Sequence, residues 1–243
     1  MMNKPAFFLF IAIFGAFCVA QEIQPVWQFK LDEGDLTAIR STGNQQFNAV
    51  ARAAEKLQWG EGRLGGKAVY FENDVMCISK PVASLEIPAA HSIDFSQPFS
   101  AMCWVKLDTQ TRGDKQYTIL GNVVSDYGPG FRVAYGWGTL YVMAGQGTKE
   151  TACSVKVSPS EVKVERDAWQ HVAVTYDGTT VSLFLNGIEV ASKAMTIYPT
   201  EPRPFQIGSY NAYAYGFVGA ISDVKVYDQP LSAEQVLSIA KEF

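Results

Sequence analysis

The stretch from Trp169 to Lys193 limits the folds open to this chain more than any other. WQHVAVTY (169–176) is followed by Asp177-Gly178, then TTVSLFL (179–185), Asn186-Gly187 and IEVASK (188–193). Asp-Gly and Asn-Gly tolerate positive φ at both central positions of a type I′ turn, whose twist matches that of the flanking strands. The spacing predicts a three-stranded antiparallel meander with two tight turns. Val172, Val174 and Tyr176 alternate with His171, Ala173 and Thr175; Val181, Leu183 and Leu185 alternate with Thr180, Ser182 and Phe184. Successive side chains of a strand point to opposite faces, so one face is apolar and needs a second sheet to cover it.

Other segments repeat the signal. FSAMCWVKL (99–107), QYTILGNVV (116–124), FRVAYGW (131–137), TLYVMAG (139–145), PFQIGSY (204–210) and GAISDVKVYD (219–228) are rich in aromatic and β-branched residues and are bounded by Gly, Pro, Asn and Asp. The Ala-rich NAVARAAEKL (48–57) reads either as a helical turn or as an irregular edge strand. Near the end, Ser232 can cap a short helix with Gln235 at the capping-box position, and Val236, Leu237, Ile239 and Ala240 would pack on the rim. The expected fold is all-β: a two-sheet antiparallel β-sandwich with a short C-terminal helix, one domain over residues 21–243. Such a domain buries about 70% of its unfolded surface, so it needs no metal or disulfide merely to fold.

Residues 1–20 read as a signal peptide. Lys4 supplies the positive charge, Ala6 to Phe17 form an apolar run, and Cys18 and Ala20 are the small residues before a cut at Gln21. That predicts a secreted protein; a lipid anchor through Cys18 is the alternative, opposed by bulky Phe17 beside it. No second apolar stretch of bilayer-spanning length follows, so no membrane insertion is expected after cleavage. Losing Lys4 lowers the net charge from −4 to −5, which argues against nucleic acid as a partner. Cys77, Cys103 and Cys153 remain. Export permits one disulfide among them, in any of three pairings, and burial as small apolar residues is an equal reading.

Five segments, in order, carry a resemblance. WQFKLDEG (27–34) is similar to W-x-F-D-E-G with Lys30 and Leu31 as extra residues. GRLGGKAVYF (62–71) is similar to G-x-x-G-x-A-x-x-F. FSAMCWVKL (99–107) matches a signature strand, with Cys103 where Ala is usual. WQHVAVTYDGTTVSLFLNG (169–187) is close to W-x-H-V-A-x-T-Y-D-G…L-Y-V-N-G. FVGAISDVKVYDQPLS (217–232) resembles F-x-G-x-I-D-E-V-R-I-Y-x-x-A-L-S. Together they cover nearly all of the chain after residue 20 and resemble the laminin-G-like jelly-roll domains of the concanavalin A-like lectin/glucanase superfamily, of the secreted bacterial type. The resemblance implies two stacked antiparallel sheets of about a dozen strands, with Trp104 and Trp169 in the core. It leaves the ligand open, because one fold hosts many functions.

Related sandwiches often hold a structural calcium. The resemblance therefore implies Asp32 and Glu33 (the opening D-E), Asp74 (the turn after Phe71) and Asp223 (the late acidic position) as ligands, with Ser222 in place of an Asp. Calcium takes six to eight oxygens. Catalysis has less support. Glycoside hydrolysis needs two facing carboxylates, and the laminarinase pattern E-x-D-x-x-E is missing; Glu161, Glu165 and Asp167 lie in a polar connection. Gln170-His171-Val172 echoes an alginate-lyase strand, but His171 is also the histidine of the shared W-x-H-V signature. It is expected to order its neighbourhood through a hydrogen bond.

Sugar binding calls for exposed rings with polar edges beside a few polar groups. Tyr210, Asn211, Tyr213 and Tyr215 fall in one loop, Asp126 and Tyr127 precede the Gly128-Pro129-Gly130 turn, and Trp137 is flanked by glycines. These seven are the candidate ligand-binding residues. The expected function is a secreted, non-catalytic recognition module with a glycan as ligand. The alternatives are an adhesion protein that binds another extracellular protein, or a hydrolase or lyase on the same fold.

Overall fold

The computed structural model describes residues 23–76, 81–157, 162–210 and 214–242. The leader at 1–20, Cys77, Glu161, Asn211 and Tyr213 therefore lie outside the described residues. Among the described residues, fifteen strands and one α-helix appear in chain order. They are β1 (Trp27–Phe29), β2 (Val50–Arg52), β3 (Leu57–Glu61), β4 (Lys67–Glu72), β5 (Ser84–Ile87), β6 (Phe99–Leu107), β7 (Gln116–Gly121), β8 (Phe131–Gly136), β9 (Thr139–Ala144), β10 (Cys153–Lys156), β11 (Trp169–Tyr176), β12 (Thr180–Leu185), β13 (Ile188–Ala194), β14 (Phe205–Ile207), β15 (Val218–Tyr227) and α1 (Ala233–Ala240). Residues 48–57 supply both alternatives read for them: edge strand β2 and a 3₁₀ turn at 54–56.

Two antiparallel sheets face each other. One has eight strands in the order β13-β12-β11-β6-β15-β4-β3, with β1 added against β15; the other has seven in the order β10-β9-β8-β7-β14-β5-β2. Alternation decides which residues meet between them. Val172, Val174, Tyr176, Val181, Leu183 and Leu185 all enter the central core, as the meander pattern predicts. Phe95, Phe99, Phe131, Phe205 and Trp27 form its aromatic centre, with ring centroids mostly 5–6 Å apart.

The two tight turns differ. Asn186 and Gly187 have φ of 52° and 80° and join Leu185 to its partner Ile188, a two-residue turn of the expected kind. At the other end Tyr176 pairs with Val181, so four residues separate the paired positions. The Asp177 Oδ1 there accepts from the backbone N–H groups of Thr179 and Thr180 and the Thr179 hydroxyl. Its carboxylate organises the turn, a local bond that competes with the shorter geometry.

Helix α1 carries the predicted capping box. The Ser232 Oγ accepts from Gln235 N at 3.3 Å and Gln235 Oε1 accepts from Ser232 N at 2.7 Å. The helix lies on the outer face of the eight-stranded sheet rather than on the rim. There Met102, Ala173 and Phe184 form a second apolar cluster with Tyr227, Leu231 and Val236. Ser232→Ala should lower stability by about 1 kcal/mol, a melting drop of roughly 2–4 °C at this chain length, read by calorimetry.

Trp104 corrects the expectation of a core tryptophan. It alternates with Cys103 and Val105, which point inward, so its ring faces out, half-buried beneath the Arg63 guanidinium at 4.0 Å. Trp169 pairs with Lys106 on that same outer face and is likewise half-buried. The fully buried tryptophan of the core is Trp27. Beside α1, a cleft of about 740 Å³ is lined by Ile23, Asp32, Lys67, Asp223, Lys225 and Glu242, among others.

Candidate functional site

The outer face of the seven-stranded sheet holds most of the described candidates. In β8, Phe131, Val133 and Tyr135 point into the core, which sends Arg132 and Ala134 outward. In β9 the same rule places Tyr141 opposite Ala134 and Met143 opposite Arg132. Arg132 is only 1% exposed. Its Nη2 donates to Gln116 Oε1 at 2.7 Å, and the Tyr141 hydroxyl donates to the same oxygen at 2.6 Å. Gly121, across from Arg132, has φ of 154°; a Cβ there would meet the Phe131 carbonyl at 2.3 Å, so the strands approach closely only with glycine.

The loop after β14 closes over this arginine. Phe217 N donates to Gly208 O, and Thr118 N donates to Tyr215 O at 2.7 Å, which ties the loop to β7. Gly208 has φ of 83°, and a Cβ would lie 2.2 Å from the Phe71 ring. Tyr210 and Tyr215 meet edge-to-face at 5.5 Å, and the Arg132 guanidinium lies 5.3 Å and 5.0 Å from their ring centres. The Tyr215 hydroxyl donates to Asp126 Oδ2 at 3.3 Å. Burial first, then the Asp126 charge, raises both phenols, that of Tyr210 to about 12, so both hydroxyls stay protonated near neutral pH.

Trp137 and Gly138 form a two-residue turn between β8 and β9 with φ of 52° and 76°. Trp137 is 48% exposed, tilts against Tyr141 at 5.3 Å and carries Lys156 Nζ 4.8 Å above its ring. A continuous series of contacts thus runs from Trp137 through Tyr141 and Arg132 to Tyr210, Tyr215 and Asp126. Tyr127 lies half-buried beside Asp126, its carbonyl accepting from Gly147 N. Tyr141 and Arg132 are buried, and so is Tyr210, contrary to the exposed stacking role expected of it. Arg132, Gln116 and Tyr141 were missed. Alternation along FRVAY already marked Arg132 as the polar member of an outward pair.

Of the acidic residues expected to bind calcium, two share a cleft and two bond elsewhere. Asp32 and Asp223 line the cleft beside α1, where Asp223 accepts from the Gln28 amide and lies 3.5 Å from Lys225 Nζ. Glu33 accepts from Arg40 N, and Asp74 accepts from Met76 N in the turn after β4. Among the described residues no group of three or more His, Cys, Asp or Glu side chains is placed to hold a metal ion.

The His171 imidazole does not order its surroundings through a hydrogen bond at Nδ1, which has no partner among the described residues. The ring instead meets Trp104 edge-on at 5.3 Å. The strand is held through its backbone, where His171 N donates to Asn186 Oδ1 at 2.9 Å. Asp167, one of the acids weighed for hydrolysis, pairs with Lys106 at 2.9 Å at the surface. Cys103 and Cys153 are free thiols, and burial raises the Cys103 thiol far above its ordinary range.

Similar folds occur in solved structures. Domain 4 of AbnA, an extracellular GH43 arabinanase from Geobacillus stearothermophilus in complex with arabinotriose, is 18% identical with a TM-score of 0.55, covering 90% of this chain and 100% of that one. The botulinum neurotoxin serotype D ligand-binding domain in complex with N-acetylneuraminic acid is 13% identical with a TM-score of 0.63, covering 89% of this chain and 50% of that one. The binding domain of Paraclostridial Mosquitocidal Protein 1 is 14% identical with a TM-score of 0.62, covering 89% and 52%. The chain spans about half the length of these toxin domains. No curated protein matches its sequence. The family described as the concanavalin A-like lectin/glucanases superfamily (Laminin_G_3) matches residues 82–237. With that match over more than half of its length and both sheets in place, the chain belongs to the concanavalin A-like lectin/glucanases superfamily, in its laminin-G-like branch.

Proposed function

We propose that this protein is a secreted, non-catalytic recognition module whose ligand is a carbohydrate, held on the outer face of the seven-stranded sheet. The observation that carries this reading is the contact series from Trp137 to Asp126. It sets aromatic rings beside a fixed guanidinium and a carboxylate, the mixture of apolar faces and oriented polar groups that sugars require. The fold's occurrence in domains solved with arabinotriose and with N-acetylneuraminic acid supports the same ligand class. The charged, apolar and small-residue order of residues 1–20 supports export.

The test uses protein recovered after export, its first residue expected to be Gln21. Calorimetric titration with a panel of oligosaccharides should detect binding, and Trp137→Ala, at an exposed turn, should weaken it about ten-fold, equivalent to about 1.4 kcal/mol. Neither reducing ends nor unsaturated products should accumulate. Binding that survives Trp137→Ala unchanged moves the ligand off this face, and product formation overturns the non-catalytic reading.

A further inference from the structure

Two polar groups at the centre of this surface face each other without bonding. Arg132 Nε and Nη1 are buried and have no hydrogen-bond partner among the described residues. Asp126 Oδ1, also buried and without a hydrogen-bond partner there, lies 3.7 Å from Nη1. A charge-assisted bond between such ions closes to about 2.7–2.9 Å, so at this separation they attract but do not satisfy each other. Buried donors and acceptors left in that condition are rare in folded proteins and call for an explanation. Neither group is loose. Nη2 is bonded to Gln116, and Asp126 Oδ2 accepts from Tyr215. The Asp126 side chain is 41% exposed, so the pair lies just beneath the surface, with its facing atoms covered.

The chemistry of the gap selects a ligand class. A hydroxyl both accepts and donates. One sugar hydroxyl can accept from Arg132 Nη1 and donate to Asp126 Oδ1, and a neighbouring hydroxyl can share either partner. A carboxylate or sulfate can only accept; to reach Arg132 it must stand against the Asp126 charge, and like charges set together are strongly unfavourable. The Tyr210 and Tyr215 rings wall the pair on one side.

We infer that Arg132 and Asp126 form a donor–acceptor clamp for the hydroxyls of an uncharged sugar residue and that Asp126 excludes acidic sugars. The clamp rests on the carbohydrate-binding reading and deepens it. The experiment titrates the exported protein with neutral trisaccharides (xylotriose, arabinotriose, laminaritriose) and acidic ones (trigalacturonate, an alginate trisaccharide, a sulfated chondroitin fragment) at one pH and ionic strength. The expected result is binding confined to the neutral set. Asp126→Asn, half-exposed and isosteric, should weaken neutral binding about ten-fold and raise acidic binding into the measurable range. Arg132→Met should abolish binding, with a melting curve to confirm that it folds. Acidic sugars that bind the parent better than neutral ones overturn the clamp, as does an Asp126→Asn variant with unchanged preference; in both cases the carbohydrate reading stands. Failure of every sugar in both sets overturns the carbohydrate reading itself.

Discussion

Truncating Phe205 to alanine should lower the unfolding free energy by about 3–5 kcal/mol. Phe205 belongs to β14, a strand of only three residues, yet its ring is fully buried. It lies 5.3 Å from Trp27 of the opposite sheet, 5.1 Å from Phe95 and 6.3 Å from Phe131. Removing it takes away burial of a large apolar side chain and the ring contacts that join the layers, and the packed neighbours cannot all collapse into the space. At roughly 2–4 °C per kcal/mol for a chain of this length, the melting temperature should fall by about 6–20 °C. Phe205→Leu keeps much of the volume and should fall far less. Urea unfolding of the three proteins checks the order. An alanine variant within about 2 °C of the parent would show that the sheets do not meet at this ring.

Acid should destabilise the protein through His171, and His171→Leu should blunt that loss. The imidazole is buried, and burial first, then the positive charges of Lys225 and Arg63, depress its pKa from 6.5 to about 3. The folded value lies below the unfolded one, so as pH falls the unfolded chain takes up the proton first. The contribution of neutral His171 is whole above about pH 6.5 and is lost as pH falls from there toward about 3. The limiting slope for one such group is about 1.4 kcal/mol per pH unit. Denaturant unfolding at pH 7.5, 6, 5 and 4 should show the parent losing stability faster than the variant, which has nothing to protonate there. Parallel curves would assign the acid sensitivity to other groups. The Nδ1 lacks a hydrogen-bond partner among the described residues, so leucine removes a buried polar atom without orphaning another.

The fold was legible because its information is local. The alternation in Trp169–Tyr176 and Thr180–Leu185, the Asn186-Gly187 turn and the Ser232 capping box each depend on residues a few positions apart. All three appear where the pattern places them. Expectations failed where a side chain's meaning depends on what packs over it from far along the chain. Trp104 sits in a strongly apolar strand, and only its register against Cys103 and Val105 reveals that it faces Arg63 outside. Arg132 reads locally as a solvated outward residue; Tyr210 and Tyr215, about eighty residues later in the chain, help to bury it. The tyrosine loop, Trp137 and Asp126 were recognisable as rings and polar groups, but the guanidinium that joins them was not. Carboxylates matched to a family pattern carry no distances, which is why Asp74 was grouped with Asp32 and Asp223 although it occupies another turn.

Ile23 and Glu242 line the same cleft, on the side of the sandwich away from Arg132. Any tether fastened near either of them leaves from one side of the molecule. Coupled to a bead or a sensor chip through either, the protein would stand with its ring-bearing sheet turned toward the medium, and a fluorescent tag at either place would not shade it.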